Sequence, residues 1–150
     1  MKSTPRMNAT HWVAALAALA VTGTAAAGAQ SLQIRQRMAS QEADLVKDVE
    51  YTNSSCGTKL AVKFNWAGAP SDDLLKYSSE GFCNAALEGI QRVCGDAAGK
   101  DAIKQKVKTV TCGFGASRTI ALKNGAIDYK INFSSSNDAD FVFEYLQNNL

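Results

Sequence analysis

In the stretch EGFCNAALEGIQRVCGD, residues 80–96, Cys83 and Cys94 stand eleven residues apart. Eleven residues are almost three turns at 3.6 per turn, so both sulfurs leave one face of a helix. About 16 Å of helix separates them, against a limit near 7 Å between bridged Cα atoms, so they cannot bridge each other. The chain has four cysteines, the others being Cys56 and Cys112, and four allow three pairings. With Cys83–Cys94 excluded, each helix thiol must reach a different element. A strand at 59–66 running one way, followed by the cysteine helix returning beside it, brings Cys94 back toward Cys56. If the next strand runs parallel to the first, Cys112 near its end meets Cys83 near the helix start. This favours Cys56–Cys94 with Cys83–Cys112 over a pairing that contains Cys56–Cys83.

Disulfides require an oxidising compartment, and the first residues point to one. Lys2 and Arg6 form a positive start, Trp12 to Val21 is apolar, and Ala27-Gly28-Ala29 is a small-x-small cleavage pattern. That is the layout of a secretory signal peptide, cut after Ala29. The apolar run is about half the ~20 residues that span a bilayer, and no cysteine follows the cut to carry a lipid. The reading is residues 1–29 as signal peptide and 30–150 as a single disulfide-stabilised α+β domain, periplasmic or secreted, with no membrane span after cleavage. Two of the 16 basic residues leave with the leader, and the 14 that stay match 14 acidic ones. A neutral chain lacks the electrostatic footprint of a nucleic-acid binder. The sole histidine, His11, also belongs to the leader.

The rest of the chain alternates helical and strand periodicity. A helix is expected from Gln30 to Tyr51, where the turn formers of YTNSSCG end it. KLAVKFNW, residues 59–66, turns Leu60, Val62, Phe64 and Trp66 one way and Lys59, Lys63 and Asn65 the other. AGAPSDD reads as a loop. Ser78 or Ser79 caps the cysteine helix and Gly95 stops it. Its buried stripe is Cys83, Leu87, Ile90 and Cys94, and Glu88 and Arg92 on the other side are spaced to pair. A short helical turn follows at 101–105. KTVTCGF places Val110, Cys112 and Phe114 on one side of a strand. Asn124-Gly125 marks a two-residue hairpin whose register sets Leu122 opposite Ile127 and Ile120 opposite Tyr129. Thr119 then faces Lys130, and Ala121 faces Asp128. Asn137 is expected to cap a last helix buried along Phe141, Val142, Tyr145 and Leu146. Each strand has one apolar face, so helices should cover one side only. The fold class is α+β: two layers, a four-stranded mixed or antiparallel sheet, and helices packed on one face.

These residues narrow the chemistry. Without histidine, a Ser-His-Asp or Cys-His system cannot be assembled in the exported chain, and the cysteines lack the close C-x-x-C spacing of zinc or thiol-redox sites. The expectation is no catalytic residue, no metal and no cofactor. A carboxylate pair could cleave glycosidic bonds. The nearest candidates are Asp72 and Asp73 beside Trp66, although Asp-Asp after Pro-Ser more simply starts a helical turn and Trp66 falls on the core face. CGFGASR has a Gly-x-Gly and an arginine suited to an anion. It lacks the third glycine of the dinucleotide fingerprint and leads into a strand, so a tight turn explains both glycines. Lys104, Lys106 and Lys108 read as a solvated surface. The sequons at Asn53 and Asn132 matter only in a eukaryotic host, and the second falls within an expected strand.

What remains is a small exported binding or interaction protein, such as an inhibitor, an immunity-type protein or an envelope accessory subunit, with a small carboxylate-dependent glycan hydrolase as the alternative. The expected partner is a protein or glycan of the cell envelope. The expected binding face is the sheet's polar side, with Lys59, Lys63, Thr109, Thr111, Thr119, Lys123 and Lys130, or the loop from Ala67 to Asp73 at its end.

Overall fold

The computed structural model describes residues 24–150. His11 and most of the expected leader, residues 1–23, lie outside the described residues. Five helices and four strands follow in the order α1 (Thr24–Cys56), β1 (Ala61–Phe64), α2 (Ser71–Leu74), α3 (Ser79–Val93), α4 (Ala97–Lys106), β2 (Thr109–Phe114), β3 (Thr119–Lys123), β4 (Ala126–Ile131) and α5 (Asp138–Asn149). No helix among the described residues is long and apolar enough to cross a membrane.

The sheet order is β1-β2-β4-β3. Strands β1, β2 and β4 run parallel, and β3 pairs antiparallel with β4. The β3–β4 register sets Leu122 against Ile127, Ile120 against Tyr129, Ala121 against Asp128 and Thr119 against Lys130, as the hairpin reading requires. Asn124 and Gly125 both take positive φ, 50° and 79°, the geometry of the primed turn that suits twisted strands.

Read across the strands, the pairings form rows of one character. Val62, Val110, Ile127 and Leu122 make one apolar row, and Phe64, Cys112, Tyr129 and Ile120 the next. Against these rows pack Leu87 and Ile90 of α3, Leu45 of α1, and Val142 and Leu146 of α5, in one continuous buried cluster. The helices therefore cover the apolar side of a mixed sheet, and the two-layer α+β architecture holds.

Helix α3 lies at the centre of the helical layer. Ser78 is its N-cap, the hydroxyl accepting from Gly81 N at 3.1 Å. It ends at Val93, with Cys94 as C-cap and the Gly95 amide on the Arg92 carbonyl. Helix α1 runs beside it in the same direction. Gln41 Oε1 accepts from the Glu80 amide, Thr52 Oγ1 accepts from Gln91 Nε2, and Cys56 bonds Cys94, so contacts recur at offsets of 39, 39 and 38 residues. The second disulfide is Cys83–Cys112, and no free cysteine remains among the described residues. Both bridges are buried.

Several sequence expectations need correction. Helix α1 starts at Thr24, in an alanine-rich stretch of high helix propensity, and continues through Thr52-Asn53-Ser54-Ser55 to Cys56, where Gly57 at φ 63° stops it. The turn formers are overridden because Thr52 donates to the Asp48 carbonyl at 2.7 Å and Asn53 holds the following chain: its Oδ1 accepts from Leu60 N and Thr58 Oγ1. The helical turn at 101–105 is a ten-residue helix, α4, started by Asp96 accepting from Gly99 N at 2.7 Å. Arg92 pairs with Asp140 of α5 instead of Glu88, and lies over the Phe143 ring at 4.5 Å. Asn132 falls just past the end of β4, its side chain donating to the Ala116 carbonyl and accepting from Ser134 N.

Candidate binding surface

Alternation puts the second set of strand residues on the side away from the helices. Its rows are Ala61, Thr109, Ala126 and Lys123; Lys63, Thr111, Asp128 and Ala121; and Gly113, Lys130 and Thr119. Lys59 continues the alternation just before β1. All of these except Gly113 are exposed or half-exposed, so no element among the described residues covers the face. All seven residues expected to form a binding face, Lys59, Lys63, Thr109, Thr111, Thr119, Lys123 and Lys130, are thus brought together on one side of the sheet.

Lys130 is the lysine of this face with a salt bridge among the described residues. Its ammonium lies 3.1 Å from Asp128 Oδ1, and the side chain lies over β2 at Gly113. A Cβ at Gly113 would come within 3.0 Å of Lys130 Nζ, and one at Gly115 within 3.3 Å of Lys130 Cβ. The Gly-x-Gly of CGFGASR therefore clears a path for a lysine side chain. Only Gly115 belongs to the turn, because Gly113 lies within β2, which corrects the reading of both as turn residues. Sequence reasoning missed this role for Gly113; the signal was the strand phase, which sets Gly113 opposite Lys130.

The arginine of the same motif serves the other face. Arg118 Nη1 donates to the Ser136 carbonyl at 2.5 Å and lies 3.5 Å from Asp138 Oδ1, with its guanidinium over the Phe141 ring. Asp138, 6% exposed, also accepts from the Tyr129 and Ser135 hydroxyls. Burial, helped by the neighbouring Asp138 carboxylate, pushes the Tyr129 phenol well above its ordinary range. The anion that Arg118 holds is a carboxylate of its own chain, and it fixes the start of α5. Asn137 stands at the N-cap position in the left-handed region with no side-chain capping bond, so this buried network, and not the expected asparagine cap, anchors the helix.

The loop from Ala67 to Asp73 ends in α2. Gly68, Pro70 and Asp73 face Phe114, Asn132 and Phe133 across a groove of about 300 Å³ at the carboxyl ends of β1, β2 and β4. Asp73 is the one carboxylate lining it; Asp72 is exposed. Trp66 stacks on Phe64 at 4.5 Å and on Phe114 at 5.7 Å, and its indole donates to Glu42 at 2.6 Å, so the core-face reading of this residue is correct. A larger cavity of about 490 Å³ opens between the starts of α3 and α5, over Phe82, Ala85 and Ala139. Its two aspartates, Asp138 and Asp140, are already paired with Arg118 and Arg92. Elsewhere Glu80 meets Asp48 across the α1–α3 contact. Burial, with added repulsion from Asp48 and Asp44, raises the Glu80 carboxyl above its ordinary value.

Among the described residues no cluster of three or more histidine, cysteine, aspartate or glutamate side chains is arranged to hold a metal. No protein-family model matches the chain, and no curated protein or solved structure matches it either.

Proposed function

We propose that this protein is an exported, non-catalytic binding module, released to the periplasm or the outside, that engages an envelope partner through its open sheet face. The observation that carries the reading is the one-sided packing of the helices. Parallel ladders usually have both faces covered. Here β1, β2 and β4 form a parallel ladder whose second face carries threonines and lysines that no element among the described residues covers. Export is supported by the leader pattern and by two disulfides, which persist in oxidising compartments. The groove beside Asp73 favours binding over glycoside hydrolysis, which needs two carboxyl groups across one cleft.

Replacing Lys63 and Lys130 together with glutamate is expected to weaken capture of the partner from an envelope extract while costing no more stability than the loss of the exposed Lys130–Asp128 ion pair, about 0–1 kcal/mol. If the double variant captures everything the wild type captures, the binding surface lies elsewhere. The mass of the exported protein should begin at Gln30; a product retaining Met1 would remove the export argument.

A further inference from the structure

Charge is segregated between the two layers. Of the 14 acidic residues only Asp128 lies in a strand, and Lys130 holds it. Lys59, Lys63 and Lys123 are exposed and form no salt bridge among the described residues. The one carboxylate beside the β1 edge, Glu42, accepts the Trp66 indole. A chain balanced in total charge after loss of its leader thus presents a basic sheet face, and all its acidic residues but Asp128 lie in or beside the helices.

The same face lacks the aromatic and large aliphatic anchors that dominate protein–protein affinity; its only apolar side chains are Ala61, Ala121 and Ala126. Recognition here has to come from charge and hydrogen bonding. Lys63 and Lys130 stand on strands two positions apart and are offset by two residues along them, roughly 12 Å at the usual strand spacing and rise, with Thr111 on the strand between them. Recruitment to an anionic bilayer takes clusters of about 4–8 basic residues, and of the four lysines on this face one, Lys130, is already paired with Asp128, which leaves three without a salt bridge among the described residues. Threonine hydroxyls interleaved with ammonium groups match the alternating hydroxyls and carboxylates of an acidic sugar chain.

We infer that the open sheet face binds a linear anionic polysaccharide laid across the strands between Lys63, Lys130 and Lys123. The inference rests on reading that face as the binding surface. The test is affinity for polygalacturonate, with neutral dextran and vesicles of phosphatidylcholine and phosphatidylglycerol as comparisons. The wild type should bind polygalacturonate at low salt, release it as salt rises, and ignore dextran. Lys63→Glu with Lys130→Glu reverses two charges, turning attraction into repulsion at each contact, and should weaken binding at least about tenfold. Lys63→Gln with Lys123→Gln, both exposed positions without a salt bridge among the described residues, should weaken it with little effect on the fold. Lys104→Glu with Lys106→Glu on α4 changes net charge equally and should leave binding unchanged. Equal loss in the α4 variant, absence of wild-type binding, or binding to vesicles alone would each overturn the inference. If polygalacturonate fails to bind but the Lys63/Lys130 variant still loses its envelope partner, the ligand class is wrong and the surface stands. If both fail, the surface is wrong as well.

Discussion

Tyr129 is completely buried at the centre of the sheet, and its hydroxyl donates to Asp138 at the start of α5. Tyr129→Phe removes that donor from a buried carboxylate, a loss of about 1–3 kcal/mol, measurable by urea denaturation. The phenol also gives a pH signature. Its folded pKa is raised, so the native state keeps the proton that the unfolded chain releases near pH 10. Stability is fully present below that pH and should fall as pH rises above it, and Tyr129→Phe should lack this part of the alkaline loss. Glu80 follows the same sign at the acid end. Its raised pKa contributes stability below the unfolded value near pH 4.3, and that stability is lost as pH rises through the folded pKa. Glu80→Gln should therefore be more stable than wild type at pH 7, and the advantage should vanish toward pH 4. An advantage independent of pH would mean that the raised Glu80 pKa, from burial first and the Asp48 contact second, is not the cause. Along α3, Leu87→Asp should be far more damaging than Glu88→Ala. The first buries an unpaired carboxylate, and the second alters an exposed side chain. Comparable losses would put the helix out of phase.

At the scale of elements, α3 is held at both ends by disulfides closing loops of 38 and 29 residues. In the chain-entropy model each contributes roughly 3–4 kcal/mol, with less than additive effect because the loops overlap. Cys83→Ala with Cys112→Ala should lower the unfolding free energy by about that amount, and an unchanged urea midpoint would contradict it. Between the bridges, α5 crosses α3 at Gly89, where a Cβ would fall 2.7 Å from the Ala139 carbonyl and 2.8 Å from Val142 Cβ. Gly89→Ala should cost about 1–3 kcal/mol by forcing the helices apart. The α3 stripe, the hairpin register and the pairing of the cysteines were legible because each rests on a local period, a turn dipeptide or a fixed helix length. The end of α1 was not. Its last turn reads as a break by propensity and is held helical by the Cys56 bridge and the Thr52–Gln91 bond, both to a helix 38 or 39 residues away. Arg118 and Asp138 were equally hidden, since only the folded sheet brings β3, β4 and the start of α5 together.

For the molecule as a whole, one hydrophobic cluster lies between the helices and the sheet, which leaves the sheet's far side to solvent or to a partner. The alternation of each strand already marked that side as polar. Its basic character also follows from sequence, because the strands contain one acid among their lysines. The depth at which Lys130 lies over Gly113 required the structure. Lysine acetylation footprinting tests the central claim most directly, read residue by residue by mass spectrometry with and without polygalacturonate. Lys59, Lys63 and Lys123 should react readily in the free protein and become protected when the polysaccharide is present, while Lys47, Lys76 and Lys104 react equally in both states. Protection confined to lysines of the helical layer, with the sheet lysines unchanged, would contradict the account.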